Sequence, residues 1–265
     1  GFKGGGFDPR GAGVNAPDLD GNGVRSDAEI AAFLSFKPEK VNSYEVGYKG
    51  SLVDRKLFVA LAAFRMDYTD VQIPGSVACT VSGLPSFCGV VSNAGKARMQ
   101  GLEFETRANL GPVTLSGSLG YIDAKFQKYI TNIASVPTDV AVFRKVQNTP
   151  AWTGNAQASY TADLGEKGTM VATTGISFKS KTYQFEIPNP YLDQEAYQLV
   201  DASLVYMAPE KRWTLGLYAK NLFNKEYKTS GYTFMGANAT TGALLTNPTT
   251  GALIPALGRE GTLTA

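Results

Sequence analysis

Histidine is absent from all 265 residues. That absence removes the usual general base of a Ser or Cys triad and the commonest transition-metal ligand, and it weighs strongly against a hydrolase. Long apolar runs are missing too. No segment approaches the roughly 20 uninterrupted hydrophobic residues that a membrane-crossing helix needs, so any crossing must be made by strands. Nor is there an excess of one charge: 25 basic and 23 acidic residues leave +2, scattered along the chain. Nucleic acid finds no electrostatic footprint, and that partner class is set aside. The chain opens on Gly1-Phe2-Lys3 without an initiator Met, basic n-region or apolar signal core, and so reads as a fragment whose targeting segment lies elsewhere. Cysteine is limited to Cys79 and Cys88. The polar, turn-forming stretch Thr80 to Phe87 between them points to a local disulfide in an oxidising compartment, with two reduced thiols as the alternative. Closing so small a ring stabilises a loop by about 3 kcal/mol in the chain-entropy model.

What the chain does have is turn residues and rings: 29 Gly, 13 Tyr and 14 Phe, the bias of many strands rather than of a helical bundle. Period-two alternation recurs along it. Tyr44, Val46, Tyr48, Gly50 and Leu52 alternate with Glu45, Gly47, Lys49 and Ser51. Leu102, Phe104, Thr106 and Ala108 face away from Glu103, Glu105 and Arg107. Val113, Leu115, Leu119 and Tyr121 oppose Thr114, Ser116 and Ser118, and further repeats cover Trp152 to Leu164, Met170 to Phe178, Val200 to Tyr206 and Trp213 to Phe223.

The connections alternate between short and long. Val53–Lys56, Leu110–Pro112, Leu164–Gly168 and Ala208–Lys211 read as tight turns. Asp8–Pro38, Pro74–Gly89, Gln127–Thr149, Glu186–Glu195 and Lys228–Gly261 read as long loops. Strands that turn tightly at one end and loop widely at the other are the signature of a transmembrane barrel, with short periplasmic turns and long extracellular loops. A lipid-facing charge at mid-membrane costs about 2–4 kcal/mol, and Glu45, Lys49, Glu103, Glu105 and Arg107 all take the opposite, lumen face. Trp152 and Tyr44 at one end, with Trp213, Tyr160 and Tyr206 at the other, suit two interfacial girdles as well as they would suit a sandwich core. The expected fold is therefore all-β, a partial transmembrane antiparallel β-barrel.

Three strings carry a family resemblance. Lys37-Pro38-Glu39-Lys40-Val41-Asn42-Ser43-Tyr44-Glu45-Val46-Gly47 and Asn93-Ala94-Gly95-Lys96-Ala97-Arg98-Met99-Gln100-Gly101-Leu102-Glu103 resemble strand starts of TonB-dependent outer-membrane receptors. Asn221-Leu222-Phe223-Asn224-Lys225-Glu226-Tyr227 is similar to that family's penultimate-strand motif. The resemblance covers nearly the whole of residues 1–265. It implies a barrel of about 22 strands, of which this chain supplies about nine from the C-terminal part, in the bacterial outer membrane. It also implies a separate plug domain, absent here with its TonB box and the closing strand, and import energised by the TonB complex. The solute it implies is a scarce one, most commonly an iron–siderophore complex.

The sharpest chemical motif lies in the first extracellular loop, residues 8–37. Asp18-Leu19-Asp20-Gly21-Asn22-Gly23-Val24-Arg25-Ser26-Asp27-Ala28-Glu29 matches the calcium-loop pattern D-x-[DN]-x-[DN]-G-x5-E in full. Asp18, Asp20 and Asn22 would give side-chain oxygens, Val24 its carbonyl, Ser26 a contact through water and Glu29 two oxygens, with Gly23 making the sharp turn. Ala28 to Leu34 reads as the exiting helix, while Gly11 to Pro17 forms no entering one, so half an EF-hand is present and a structural Ca²⁺ is expected. Gly11-Ala12-Gly13-Val14-Asn15-Ala16 fits a dinucleotide pattern only superficially, since Pro17 stands where a helix should open. Thr241-Gly242-Ala243-Leu244 recurs as Thr250-Gly251-Ala252-Leu253, which suggests a small hairpin in the last outer loop.

For contact with a bulky metal chelate, the loop rings Phe143, Tyr183, Phe185, Tyr191, Tyr232 and Phe234 are the candidates, with the cations Arg144 and Lys145. No His or Cys cluster offers to bind a bare transition metal, and no organic cofactor or covalent chemistry is indicated. Two rival readings are a passive porin, which an upstream plug would exclude, and a soluble calcium-dependent β-sandwich adhesin, which partition into detergent would exclude.

Overall fold

The computed structural model describes residues 1–8, 16, 18–81, 84–93, 95–133, 136–231, 235–238 and 240–254, with backbone alone at 74–81, 84–88, 90 and 132. Among the described residues the elements run β1 (Phe2–Lys3), β2 (Gly6–Phe7), α1 (Asp27–Leu34), β3 (Ser35–Phe36), β4 (Glu39–Leu52), β5 (Leu57–Thr69), β6 (Gln72–Val81) and β7 (Leu84–Asn93). There follow β8 (Gly95–Leu110), β9 (Val113–Ile133), β10 (Val136–Asp139), β11 (Trp152–Asp163), β12 (Thr169–Lys179), β13 (Tyr197–Met207) and β14 (Thr214–Ala219). No described helix is long and apolar enough to cross a membrane.

The main sheet is a meander in the order β1-β4-β5-β8-β9-β11-β12-β13-β14, nine strands along one path, with β10 paired to β9. The four short turns lie where the alternation breaks, between β4 and β5, β8 and β9, β11 and β12, and β13 and β14. Two of the expected loops are instead extended hairpins. Pro74–Gly89 falls within the antiparallel β6–β7 pair, and Gln127–Thr149 begins with the end of β9 folded against β10. Pro74, Gly75 and Pro137 break the period-two pattern without breaking the pairing, because a hairpin that supplies its own partner strand needs no apolar face to fix its ladder. The other long strands also overrun their alternating segments, as β4 does by starting at Glu39.

Two compact units divide the chain: residues 1–43, 66–98 and 125–142 form one, and 44–65, 99–124 and 143–265 the other. The first holds a small core of Ile73, Tyr129 and fully buried Val140, packed by Val71, Phe126, Ile133 and Ala141. Side-chain amides tie its strand starts together. Asn93 accepts from the Lys37 N–H at 2.8 Å and donates to the carbonyls of Lys37 and Asp70. Gln72 donates to the Gly4 and Lys37 carbonyls while its own N–H reaches Glu39 at 2.8 Å. The first two family-like strings are thus joined through Asn93 and Lys37.

In the second unit the register settles which face each residue takes. Tyr121 opposes Trp152, Leu119 opposes Gly154 and Leu115 opposes Ala158. On the same face Tyr160 opposes Ala172, Ala172 opposes Leu204, and Leu204 opposes Leu217. This apolar face is open: Val46 is 73% exposed, Leu102 58% and Leu217 72%. At about 25 cal/mol per Å² of apolar surface left in water, such a face is stable only against hydrocarbon. Rings mark its two ends, with Tyr121 against Trp152 at 4.7 Å and Tyr206 against Trp213 at 5.2 Å. The opposite face is polar. Asn155 donates to Ser118 at 2.6 Å, Ser159 and Thr173 meet at 2.9 Å, and the Lys49 ammonium lies 5.5 Å from the Phe58 ring. Gly101 is required on this face, since a Cβ there would stand 2.0 Å from the Tyr121 carbonyl oxygen and 2.8 Å from the Phe64 ring.

Candidate functional site

The acidic loop of the first unit is organised by its own backbone. Asp18 accepts from the N–H groups of Gly21 and Gly23, each at 2.8 Å, and Asn22 Oδ1 accepts from Val24 N at 2.7 Å. Asp20 accepts from the Asn22 backbone at 3.1 Å and from its amide at 2.8 Å. Gly23 sits at φ +79°, where a side chain would be strained. Glu29 is buried and uses both oxygens: Oε1 takes Leu19 N at 2.6 Å, and Oε2 takes Ser26 N at 2.8 Å and the Ser26 hydroxyl at 2.9 Å. Ser26 caps α1 by accepting from Glu29 N, which completes a capping box. One oxygen each of Asp18, Asp20 and Glu29 lies within 4.8 Å of the others. The Gly23 N–H, above all, holds the Asp18 carboxyl below its ordinary range, and the Ser26 N–H does so for Glu29. Both therefore stay charged at neutral pH, and the loop contacts they make are lost as pH falls through those lowered values. Hard oxygen donors at this spacing suit a calcium-sized cation.

In the second unit, connections distant in sequence meet. Lys145 N donates to the Glu186 carbonyl at 2.8 Å and Asn148 N to that of Tyr183 at 2.9 Å, a backbone tie between residues 143–149 and 181–187. Gln147 donates to the Glu186 carboxylate. The Tyr183 ring has two ammoniums over it, Lys145 at 5.7 Å and Lys181 at 5.8 Å. Lys181 is paired with Glu195 at 2.5 Å, and that hydrogen bond is the first cause raising its pKa above the ordinary lysine value.

Of the residues expected to contact a chelate, Phe143, Lys145 and Tyr191 are exposed, while Tyr183 and Phe185 are half-buried. Arg144 differs. It is 7% exposed and donates to the Thr240 carbonyl at 3.1 Å, so it holds the last connection to the one at 143–149 rather than facing solvent. Tyr232 and Phe234 lie outside the described residues. So do the side chains of Cys79 and Cys88, although the β6–β7 register sets Cys79 opposite Ser86 and Cys88 opposite Val77.

Sequence reasoning missed Lys181, Asp193 and Lys228. Asp193 is 4% exposed. Its Oδ2 accepts from Asn189 N at 3.0 Å, its Oδ1 has no hydrogen-bond partner among the described residues, and its carbonyl takes the Lys228 ammonium at 3.1 Å. Burial pushes its pKa above the ordinary carboxylate range. The signal available in sequence was Asn189-Pro190-Tyr191-Leu192-Asp193, a short polar turn with an acid at its end. The terminal repeat forms two like turns, one per copy. Asn238 Oδ1 accepts from Thr240 N and Thr241 N, and Asn247 Oδ1 from Thr249 N and Thr250 N.

Comparison with known proteins gives this arrangement a family. Residues 4–222 match the family model described as TonB dependent receptor-like, beta-barrel. The metal-pseudopaline receptor CntO of Pseudomonas aeruginosa is 27% identical over 205 residues, which is 75% of this chain and 25% of that protein. The ferrichrome outer membrane transporter/phage receptor of Escherichia coli K12 is 27% identical over 207 residues, 76% of this chain and 25% of its own length. This chain thus spans about a quarter of the curated relatives it matches. Among solved structures, the ferric yersiniabactin uptake receptor FyuA from Yersinia pestis has a TM-score of 0.58 at 22% identity, over 78% of this chain and 28% of that one. The siderophore receptor PiuA from Acinetobacter baumannii has a TM-score of 0.57 at 19% identity, over 85% and 28%. With its apolar outer face, its polar inner face and a family match across most of its length, the chain belongs to the β-barrel family of TonB-dependent receptors of the outer membrane.

Proposed function

We propose that the protein containing this chain is an outer-membrane receptor that imports a scarce metal chelate, an iron–siderophore complex, by active transport. The TonB complex would drive it through a plug domain lying outside these residues. The observation that carries the reading is the Tyr183 ring with two ammoniums over it, displayed on tied outer connections of a membrane wall. Rings and cations are what a bulky, anionic or aromatic chelate needs for recognition. Phe143, Lys145, Tyr183, Phe185 and Tyr191 form the contact set, with Lys181 added and Arg144 placed behind them as the brace. The names of the relatives, a metal-pseudopaline receptor and a ferrichrome transporter, support the same solute class. In a deletion strain supplied with chelated iron, growth and uptake should fall, and in the parent strain uptake should stop when the proton gradient is collapsed. Unchanged uptake in both tests would sink the reading.

Calcium is proposed as a structural ion of the first outer loop, held by Asp18, Asp20, Asn22, the Val24 carbonyl and Glu29, with Ser26 acting through water. Support comes from the full motif match and from three carboxylates brought within 4.8 Å. Terbium luminescence titrated against calcium in the full-length receptor should show competition that Asp18→Ala abolishes. Protease cleavage after Arg25 should slow when calcium is added. Competition that survives Asp18→Ala would refute the site.

A further inference from the structure

Two ammoniums share one ring at the proposed site, and their counter-charges are unequal. Lys145 is exposed, and among the described residues no carboxylate pairs with it. Lys181 has Glu195 at 2.5 Å, and the two side chains keep 40% and 74% of their exposure. Of the neighbouring carboxylates, Glu186 accepts from Gln147, while buried Asp193 accepts from Asn189 N and shares its charge between Lys181 and Lys228. Among the described residues Glu195 is the carboxylate in direct contact with Lys181, and it holds that cation from the rim, with most of its side chain in solvent. One phenol ring offers a face to each cation but no net charge, so the pair is left short of anion. The backbones that carry Lys145 and the Tyr183 ring are tied together, Lys145 N to the Glu186 carbonyl and Asn148 N to that of Tyr183.

We propose that Glu195 is a stand-in for the ligand: its carboxylate occupies the Lys181 ammonium until an anionic chelate displaces it, so that Lys145, Tyr183 and Lys181 admit chelates by their negative charge. The inference rests on the uptake reading and deepens it by naming the ligand's charge. An ion pair this exposed contributes little to stability, so giving it up costs the protein little. Its effect falls on selection: a neutral chelate cannot replace what Lys181 loses, whereas an anionic one can and also supplies Lys145.

The test measures the affinity of the full-length receptor, in detergent, for two probes by quenching of intrinsic fluorescence. One probe is an anionic ferric tris-catecholate and the other a neutral ferric trihydroxamate of similar size. Glu195→Gln should raise the preference for the anionic probe by about tenfold and Lys145→Gln should lower it by about as much, both being exposed changes to charge alone. As a measurement that needs no variant, the wild-type preference should shrink as ionic strength rises. If both probes bind and Glu195→Gln leaves the preference unchanged or reverses it, the stand-in is wrong while the uptake reading stands. If neither probe binds the wild-type receptor, the uptake reading falls and this inference with it.

Discussion

The wall strands and the outer connections satisfy their backbones in different ways. Along β12 each residue is paired on both sides, with β11 and with β13, so side chains are free to follow the medium on their side. In the connections short polar side chains do that work: Asp18 for Gly21 and Gly23, Asp139 for Tyr129 and Ala141, Asn189 for Tyr191, Asn238 and Asn247 for paired threonines. The consequence is opposite tolerance to substitution. A wall position asks only for polarity and size, whereas a connection asks for one atom in one place.

The strongest break in that contrast should come from Leu102→Arg, which puts a charge on the hydrocarbon side of β8. A loss of about 2–4 kcal/mol is expected in denaturant unfolding from lipid bilayers. Glu103→Gln, one residue along and on the other face, should cost under about 1 kcal/mol. Next comes Asn221→Ala after β14. Asn221 accepts from Lys225 N at 2.8 Å, donates to the Lys225 carbonyl at 3.0 Å and sits at φ +49°. Losing both bonds should cost about 1–3 kcal/mol, and Asn221→Gly should recover the backbone part alone. Asn238→Ala should be smaller and local. Amide exchange at Thr240 and Thr241 should quicken by about fivefold, from a loss of about 1 kcal/mol, while Thr249 and Thr250 in the twin turn keep their rates.

The smallest effect should be the pH response of the connection containing Asp193. Its pKa in the closed loop is raised by burial, so between the ordinary carboxylate value and the raised one the closed loop binds more proton than the opened loop. Closure should therefore strengthen as pH falls from neutrality through the raised value, level off below the ordinary carboxylate pKa of about 3.9, and weaken again as pH rises. Limited proteolysis of residues 184–195 should follow that course. Asp193→Asn, whose amide oxygen still accepts from Asn189, should flatten it and slow cleavage at neutral pH by about threefold. Cleavage that instead quickens on mild acidification would contradict the assigned cause.

Much of the wall was legible beforehand. The positions of all four tight turns and the side taken by Leu102, Leu115, Glu103 and Lys49 follow from alternation. The short helix at Ala28 to Leu34 was legible for the same kind of reason, a local pattern, whereas Ser26 was read as a calcium contact through water and its capping of that helix came only from the structure. The hairpins at β6–β7 and at the end of β9 were hidden, because proline and glycine mask a period that the pairing itself does not need. The ligand face was only half visible. Lys145 and Tyr183 stood out as loop residues, but nothing in the spacing says that Lys181 joins them, that Glu195 neutralises it, or that Arg144 turns inward to Thr240.

Residues alternating between two media determine, by themselves, that strands form, which side is apolar and where the chain reverses, since each of these depends on neighbours within a few positions. Which connection touches which was decided only in three dimensions. The contacts of Lys145 with Tyr183 and of Arg144 with Thr240 join residues 38 and 96 positions apart. No local preference encodes such a meeting, because its free energy appears only when the wall has already set the loop ends in place.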